Sequence, residues 1–493
     1  MKRPARAALV IVVMLAAAVV AAPALAQATD WSQFQGGAAH PGIAAGPQPG
    51  LAEAWTFEGE AGGPGERFGL SAPVIAGGLA IAVGAEEVVA VRMQDGSAAW
   101  TAPKGLGPSV PGAVASGDDP TFLYTEGWGD GPPAPAGQAS PTASPSPTAT
   151  PSPTATPSPD AGDAASGPSR LVAVGIDDQE QRWKVDLPDV SRSGVTLLGD
   201  LAVVGSNDGT VTAVDVGSGD TAWSTDVGGA VDVAPAAEGD LVVVTTRATV
   251  DATTALVGLE VADGGERWRF APDTGAPFAG PPTIADGSVY AGFADRTVYA
   301  VQTGDGSARW SARLNGSAPV SPLVATPSAV LAVDVGTFGS QVYALDPANG
   351  RRLWDHPMGV PVFRAAPIVV GDAVVTGGID GRLRAFDLAG GDLIWFSPLG
   401  GPIRALASDG ETLVAVGAKP VSVVGYRHDA AAGLVAIESP TAADPGGLAL
   451  WWAVATIVVG LAAFGLGRLL TRRTPLPMSF PDDEPLPDEE EDA

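Results

Sequence analysis

Residues 342–354 read Val-Tyr-Ala-Leu-Asp-Pro-Ala-Asn-Gly-Arg-Arg-Leu-Trp, and variants of this stretch recur along the chain. Its first part alternates as a β-strand does, Gly350 provides the freedom for a tight turn, and the following segment carries Trp354. The stretch therefore predicts a β-hairpin whose second strand presents an indole.

The recurrence of this hairpin sets the fold class. Eight of the 12 tryptophans recur in step with it, mostly 40 to 45 residues apart: Trp55, Trp100, Trp183, Trp223, Trp268, Trp310, Trp354 and Trp395. Ten residues before each of the last seven stands a small residue, namely Ala90, Ala173, Ala213, Gly258, Ala300, Ala344 and Ala385. Four residues before the same tryptophans stand Gly96, Gln179, Gly219, Gly264, Gly306, Gly350 and Gly391. Repeats of this period, with two further apolar strands upstream of each hairpin, predict four-stranded propeller blades docked through tryptophan.

The two ends of the repeat array predict how the ring closes. Seven units are complete, residues 405–427 supply three strands with Gly425 at the small-residue position, and residues 51–57 form a lone strand with Trp55. Pairing this N-terminal strand into the last unit removes the open sheet edges. We therefore expect an all-β, eight-bladed propeller.

A lead-in precedes the first blade: Asp30-Trp-Ser-Gln-Phe-Gln-Gly-Gly-Ala-Ala-His-Pro-Gly42. Together with the repeat, it resembles the PQQ-like, quinoprotein-type family of eight-bladed propellers, over about residues 30–428. The resemblance implies the propeller fold. It extends to PQQ-dependent dehydrogenases, which hold the quinone with a calcium ion in the central channel, and to a propeller lipoprotein of outer-membrane protein assembly, which acts by contact. Because propellers support many functions, the resemblance alone does not assign one.

The spacing between Trp100 and Trp183 is 83 residues, and its excess contains two Pro-Ser-Pro-Thr-Ala-Thr repeats at 145–156. A Pro/Ser/Thr tract of this kind does not form a packed core. We place it as a disordered insertion, residues 129–169, between the second and third strands of blade 2. It is either a bare spacer or a glycosylated one.

The chain ends predict export and anchoring. Residues 1–26 have a basic start, an apolar run and an Ala-x-Ala cleavage pattern, as signal peptides do. An apolar, uncharged stretch begins at Leu448, and Arg468, Arg472 and Arg473 follow it. We expect an ectodomain at 27–428, a stalk at 429–447, a single transmembrane helix at 448–470 and an acidic cytoplasmic tail at 471–493. The propeller would thus lie outside the cell membrane.

The composition disfavours several classes of function. The formal net charge is −28, which disfavours nucleic acid as a partner. There is no Cys, and His40, His356 and His428 are too scattered to suggest a metal site or a catalytic triad. Aspartates such as Asp215 and Asp346 occupy turn positions, where they are expected to bind turn amides. We therefore expect no catalytic residues, no metal and no PQQ cofactor.

One candidate binding site remains, at one mouth of the channel. The segments that lead into the first strand of each blade place three arginines among eight equivalent positions: Leu70, Pro108, Arg192, Asp232, Ala279, Pro319, Arg364 and Arg404. Arg192, Arg364 and Arg404 either bind an anionic group or form ordinary rim salt bridges. The sequence favours a scaffold at the cell envelope that binds envelope or cell-wall proteins or an anionic ligand. The alternatives are a PQQ-dependent dehydrogenase and a sensor ectodomain.

Overall fold

The computed structural model of the chain describes residues 31–46, 50–58, 69–127, 169–248, 253–272, 275–277, 280–316, 322–334, 339–362, 365–398, 401–418 and 421–429. All of these belong to one unit, Met1–Val435, and none to the second unit, Ala436–Ala493. The predicted signal peptide, transmembrane helix and tail, and nearly all of the insertion and stalk, lie outside the described residues and stay predictions. Within the described part, no helix has the length and apolar character needed to span a bilayer.

The described residues form eight β-sheets. Blade 1 consists of β3 (Val74–Ala76), β4 (Leu79–Val83), β5 (Glu87–Arg92) and β6 (Ala98–Pro103), and blade 2 of β7 (Ala113–Ala115), β8 (Thr121–Glu126), β9 (Arg170–Gly175) and β10 (Gln181–Asp186). Blade 3 consists of β11 (Thr196–Leu198), β12 (Leu201–Gly205), β13 (Thr210–Asp215) and β14 (Thr221–Asp226), and blade 4 of β15 (Ala236–Glu238), β16 (Leu241–Thr246), β17 (Ala255–Glu260) and β18 (Glu266–Phe270).

The second half of the ring repeats this plan. Blade 5 consists of β19 (Thr283–Ala285), β20 (Ser288–Gly292), β21 (Thr297–Gln302) and β22 (Ala308–Arg313), and blade 6 of β23 (Val324–Ala325), β24 (Val330–Val333), β25 (Gln341–Leu345) and β26 (Arg352–Pro357). Blade 7 consists of β27 (Ile368–Val370), β28 (Ala373–Gly377), β29 (Arg382–Asp387) and β30 (Leu393–Pro398), with β1 (Ile43–Ala44) added beside β27. Blade 8 consists of β31 (Ile403–Ser408), β32 (Thr412–Ala418), β33 (Val421–His428) and β2 (Leu51–Glu58), and a short 3-10 helix spans Phe34–Gly36. The predicted all-β, eight-bladed architecture of four-stranded blades is confirmed.

Closure of the ring depends on the N-terminal strand. β2 pairs antiparallel with β33, from Leu51 opposite His428 to Glu58 opposite Ser422. At seven of the eight joints the first strands of neighbouring blades contact each other, so these short strands form the inner wall. The two faces differ in the loops they carry. One face, the hairpin face, bears the turns between first and second strands and between third and fourth strands. The other, the loop face, bears the connections between blades and the loops between second and third strands.

Tryptophan occupies the same place in each blade. The small residue ten positions earlier is its direct cross-strand partner, as in Ala90 opposite Trp100 and Ala213 opposite Trp223. In six joints the indole Nε1 donates to a backbone carbonyl of the next blade, at 2.7 to 2.9 Å. The hairpin glycine of that next blade lies beneath the ring. At Gly96, whose φ is 74°, an added Cβ would come within 2.8 Å of Trp55. The glycine thus serves both the turn and the docking of the neighbouring indole.

Candidate functional site

The centre of the ring holds the chain's own residues 31–46, here called the hub segment. Trp31 bridges Ile75 in blade 1, and the carbonyl of Ser32 accepts from Val114 in blade 2. Further round, the carbonyls of Ala38 and Ala39 accept from Ala237 in blade 4 and Ile284 in blade 5. These bonds use the channel-facing edges of the first strands, which would otherwise present unpaired amides.

Three buried polar side chains of the hub segment extend this pattern. Gln33 exchanges two hydrogen bonds with the backbone of Leu197 in blade 3, at 2.7 and 3.1 Å. The amide of Gln35 donates to the Leu323 carbonyl in blade 6 at 3.2 Å. His40 lies 2.8 Å through Nδ1 from the Pro282 carbonyl oxygen in blade 5. Each side chain therefore makes a contact with a different blade.

The hub segment also bonds to blades 7 and 8. The carbonyl of Gly42 accepts from Val369, and β1 runs parallel to β27. The hydroxyl of Ser408, in β31, donates to the Gly46 carbonyl at 2.8 Å. The hub segment thus bonds to the innermost strand region of all eight blades.

His40 is held in its neutral form. It is 1% exposed, and burial lowers its pKa to about 4. Because the carbonyl of Pro282 can only accept, Nδ1 carries the imidazole proton. His40 acts as a fixed donor in the hub at neutral pH.

The structure describes two of the three predicted mouth arginines. Arg192 precedes β11 in blade 3 and Arg404 lies in β31 of blade 8, and both are half-buried. Blades 1 and 2 separate them around the ring, and Arg364 lies outside the described residues. The guanidinium of Arg404 packs against the backbone of Gly69 in blade 1, where an added Cβ would lie 2.5 Å from Nη1. Arg192 and Arg404 therefore belong to different blades, and the common anionic site of the three arginines stays a prediction.

A fourth mouth position has an acidic side chain. Asp232 of blade 4 accepts from Arg247 Nε at 2.8 Å, and both residues are partly exposed. This pair illustrates the rim salt bridge that the sequence allows as an alternative for the arginines. A partly exposed pair of this kind contributes little stability.

A second charged cluster surrounds Glu126, at the end of β8 where the insertion begins. Glu126 Oε2 accepts from the Gly105 amide at 2.8 Å, while Arg170 and Lys184 lie 3.6 and 3.7 Å from Oε1. Lys104 is also buried nearby, and burial lowers its pKa to about 8 against the attraction of Glu126. Sequence reasoning missed this cluster, although the chain has only four lysines, two of which meet here.

Aspartates of the hairpin turns bind backbone amides. Asp215 and Asp346 accept from turn amides at Ser218 and Ala348, as expected of residues at turn positions. In the part of the chain that the structure describes, no three His, Cys, Asp or Glu side chains are grouped to hold a metal ion. The sequence does not predict the role of the hub segment, because its motif indicates family resemblance without showing which blades its backbone contacts.

The repeat region matches a known protein family. Residues 167–251 and 208–443 match the family model described as outer membrane protein assembly factor BamB. The chain belongs to this family of PQQ-like propellers. No curated protein sequence matches the chain.

Solved structures share the family's architecture. Quinohemoprotein alcohol dehydrogenase from Comamonas testosteroni is 12% identical with a TM-score of 0.60, covering 82% of this chain and 81% of that one. Quinohemoprotein alcohol dehydrogenase ADHIIG from Pseudomonas putida HK5 is 13% identical with a TM-score of 0.57, covering 81% and 80%. The computationally designed Ika8 protein is 14% identical with a TM-score of 0.56, covering 76% of this chain and 99% of that one. Identities this low establish a common fold and no common activity.

Proposed function

We propose that this PQQ-like propeller is a membrane-anchored scaffold at the cell envelope, which binds other proteins or an anionic ligand through its faces. A signal peptide at 1–26 and a transmembrane helix at 448–470 would place the propeller outside the cell membrane and the tail in the cytoplasm. Envelope or cell-wall proteins are the proposed partners. The family description, which names an assembly factor, supports a role through contact.

The hub segment is the observation that carries the proposal. Its contacts with all eight blades use the inner strand edges within the chain itself. What the ring offers to a partner is then its two faces and its rim. We accordingly propose that the protein uses no quinone cofactor and is not an enzyme.

The exposed surface favours polar contacts with that partner. Among the described residues, the exposed large apolar side chains are Leu106, Leu353 and Ile379, which belong to different parts of the ring. Single exposed apolar residues of this kind do not make an apolar patch. Charged mouth residues such as Arg192 and Arg404 are better suited to hold a partner's anionic group.

The proposal is tested by recovery of crosslinked partners from membranes. Tagged full-length protein is compared with a tagged variant that lacks residues 31–429 and keeps both termini. We expect specific envelope or cell-wall proteins to be recovered only with the propeller. Recovery of the same proteins with both variants would refute the scaffold function. A variant with Ala at Arg192, Arg364 and Arg404 tests the anionic site. Unchanged recovery of the partner proteins would refute the proposal that these arginines bind an anionic group.

A further inference from the structure

The joint between blade 1 and blade 2 differs from its neighbours at one residue. Gln179 occupies the hairpin position that is glycine in blades 1 and 3 to 7. Its φ is 59°, in the left-handed region that side chains with a Cβ adopt at a cost. Blade 2 therefore contains the turn but lacks the residue that makes this turn favourable.

The side chain of Gln179 also takes the acceptor that the neighbouring indole uses elsewhere. Its amide donates to the carbonyl of Ile176 at 3.1 Å and to that of Asp177 at 2.9 Å. Ile176 stands seven residues before Trp183, as Met93 stands before Trp100 and Val216 before Trp223. Met93 and Val216 each accept an indole hydrogen bond from the preceding blade.

Trp100 lacks this hydrogen bond. Its Nε1 is buried and has no partner among the described residues. A buried donor without a partner loses its hydration and gains nothing in exchange. On the hairpin face, the described residues of blades 1 and 2 thus lack the indole hydrogen bond and meet through apolar packing that includes Trp100 and Ile176.

The same joint is well bonded on the loop face. The Gly105 amide, in the connection from blade 1, donates to Glu126 of blade 2, and the Gly127 amide donates to the Leu106 carbonyl at 3.0 Å. Between the two faces lies a shared apolar cluster that includes Phe122 and Tyr124, whose rings are stacked at 5.8 Å. The bonds of this joint are therefore concentrated on one side.

We propose that the ring opens between blades 1 and 2 more readily than at the six joints with a bonded indole, on the hairpin face, with the contacts at Glu126 acting as the hinge. Opening at this place separates Trp100 from the Gln179 turn while the loop face stays connected. The insertion in blade 2 begins directly after the hinge residues. Local opening of this kind occurs where stabilising contacts are fewest.

Hydrogen exchange of the full-length protein, followed by mass spectrometry, tests the proposal. We expect amides in β5 and β6 to exchange ~10-fold faster than the equivalent amides in β13 and β14, as the loss of one buried hydrogen bond predicts. Gln179→Gly should remove the difference, since it relieves the left-handed backbone and frees the Ile176 carbonyl. Glu180→Gly is the control, because Glu180 is the exposed neighbour of Gln179 in the same connection between β9 and β10 and does not occupy the docking position.

Two results would overturn the proposal. One is equal exchange in the two blades of the unmodified protein. The other is faster exchange in β5 and β6 that Gln179→Gly leaves unchanged, because the opening would then not arise from the Gln179 turn.

Discussion

Blade 8 is assembled from two distant parts of the chain, β31–β33 and the N-terminal β2, while blades 1 and 2 follow each other in the repeat array. On the hairpin face, the joint of blades 8 and 1 is nevertheless better bonded than the joint of blades 1 and 2. At the joint of blades 8 and 1, Trp55 Nε1 donates to the Met93 carbonyl at 2.8 Å, and Arg427 also reaches that carbonyl. At the joint of blades 1 and 2, Trp100 lacks the equivalent bond among the described residues. The two joints differ in the residue at the hairpin position, Gly96 against Gln179, and assembling blade 8 from two parts of the chain does not deprive its joint of the indole hydrogen bond.

The largest expected loss of stability comes from Gly96→Gln. This substitution places glutamine, the residue found at the hairpin position of blade 2, at the joint of blades 8 and 1. At a φ of 74° the new residue is strained, and its Cβ would press on Trp55. We expect the free energy of unfolding to fall by about 2–3 kcal/mol, because the backbone is strained in the left-handed region and one hydrogen bond is lost. Urea unfolding of the full-length protein measures it.

Gly117→Gln is the matched control for this change. Gly117 lies outside the left-handed region, and nothing lies within 4 Å of an added Cβ. An equal loss of stability in both variants would show that the hairpin position has no special role.

A smaller effect on stability should come from the titration of Lys104, on the loop face of the joint between blades 1 and 2. Its pKa of about 8 in the fold is below the ordinary 10.5, so the unfolded chain binds more protons between these values. Stability should therefore rise as the pH increases from 8 to 10.5, by about 1 kcal/mol for each pH unit near the middle of this range. Unfolding midpoints between pH 7.5 and 9.5 measure this rise.

Lys104→Met should remove the rise, since the titrating group is gone. Lys184→Met is the control, because Lys184 is more exposed while facing the same carboxylate. If the rise persists in Lys104→Met, its source is another group.

The sequence predicted the features that repeat and missed those that occur once. Tryptophan and glycine offsets predicted the blades, and the unmatched strands at residues 51–57 and 405–427 predicted the closure. Gln179 was visible as the exception to the glycine rule. The missing hydrogen bond of Trp100 could not be predicted from it, because Trp100 is 79 residues away from Gln179 in the sequence.

The hub segment was missed for a different physical reason. Most of its bonds come from backbone carbonyls, as at Ser32 and Gly42, and backbone bonding leaves little mark on residue choice. The arginine site was predicted from equivalent positions in the repeat. Repeat equivalence assigns Arg192 and Arg404 to the same place in blades 3 and 8, and their binding of one anionic group stays a prediction.

The central claim is that this propeller acts through its faces and not through chemistry in its channel. The most direct test is titration of the purified full-length protein with pyrroloquinoline quinone in the presence of Ca²⁺, followed by absorbance and redox cycling. Because the hub segment already uses the inner strand edges, we predict no saturable binding. A stoichiometric, redox-active complex would contradict the account and favour a dehydrogenase.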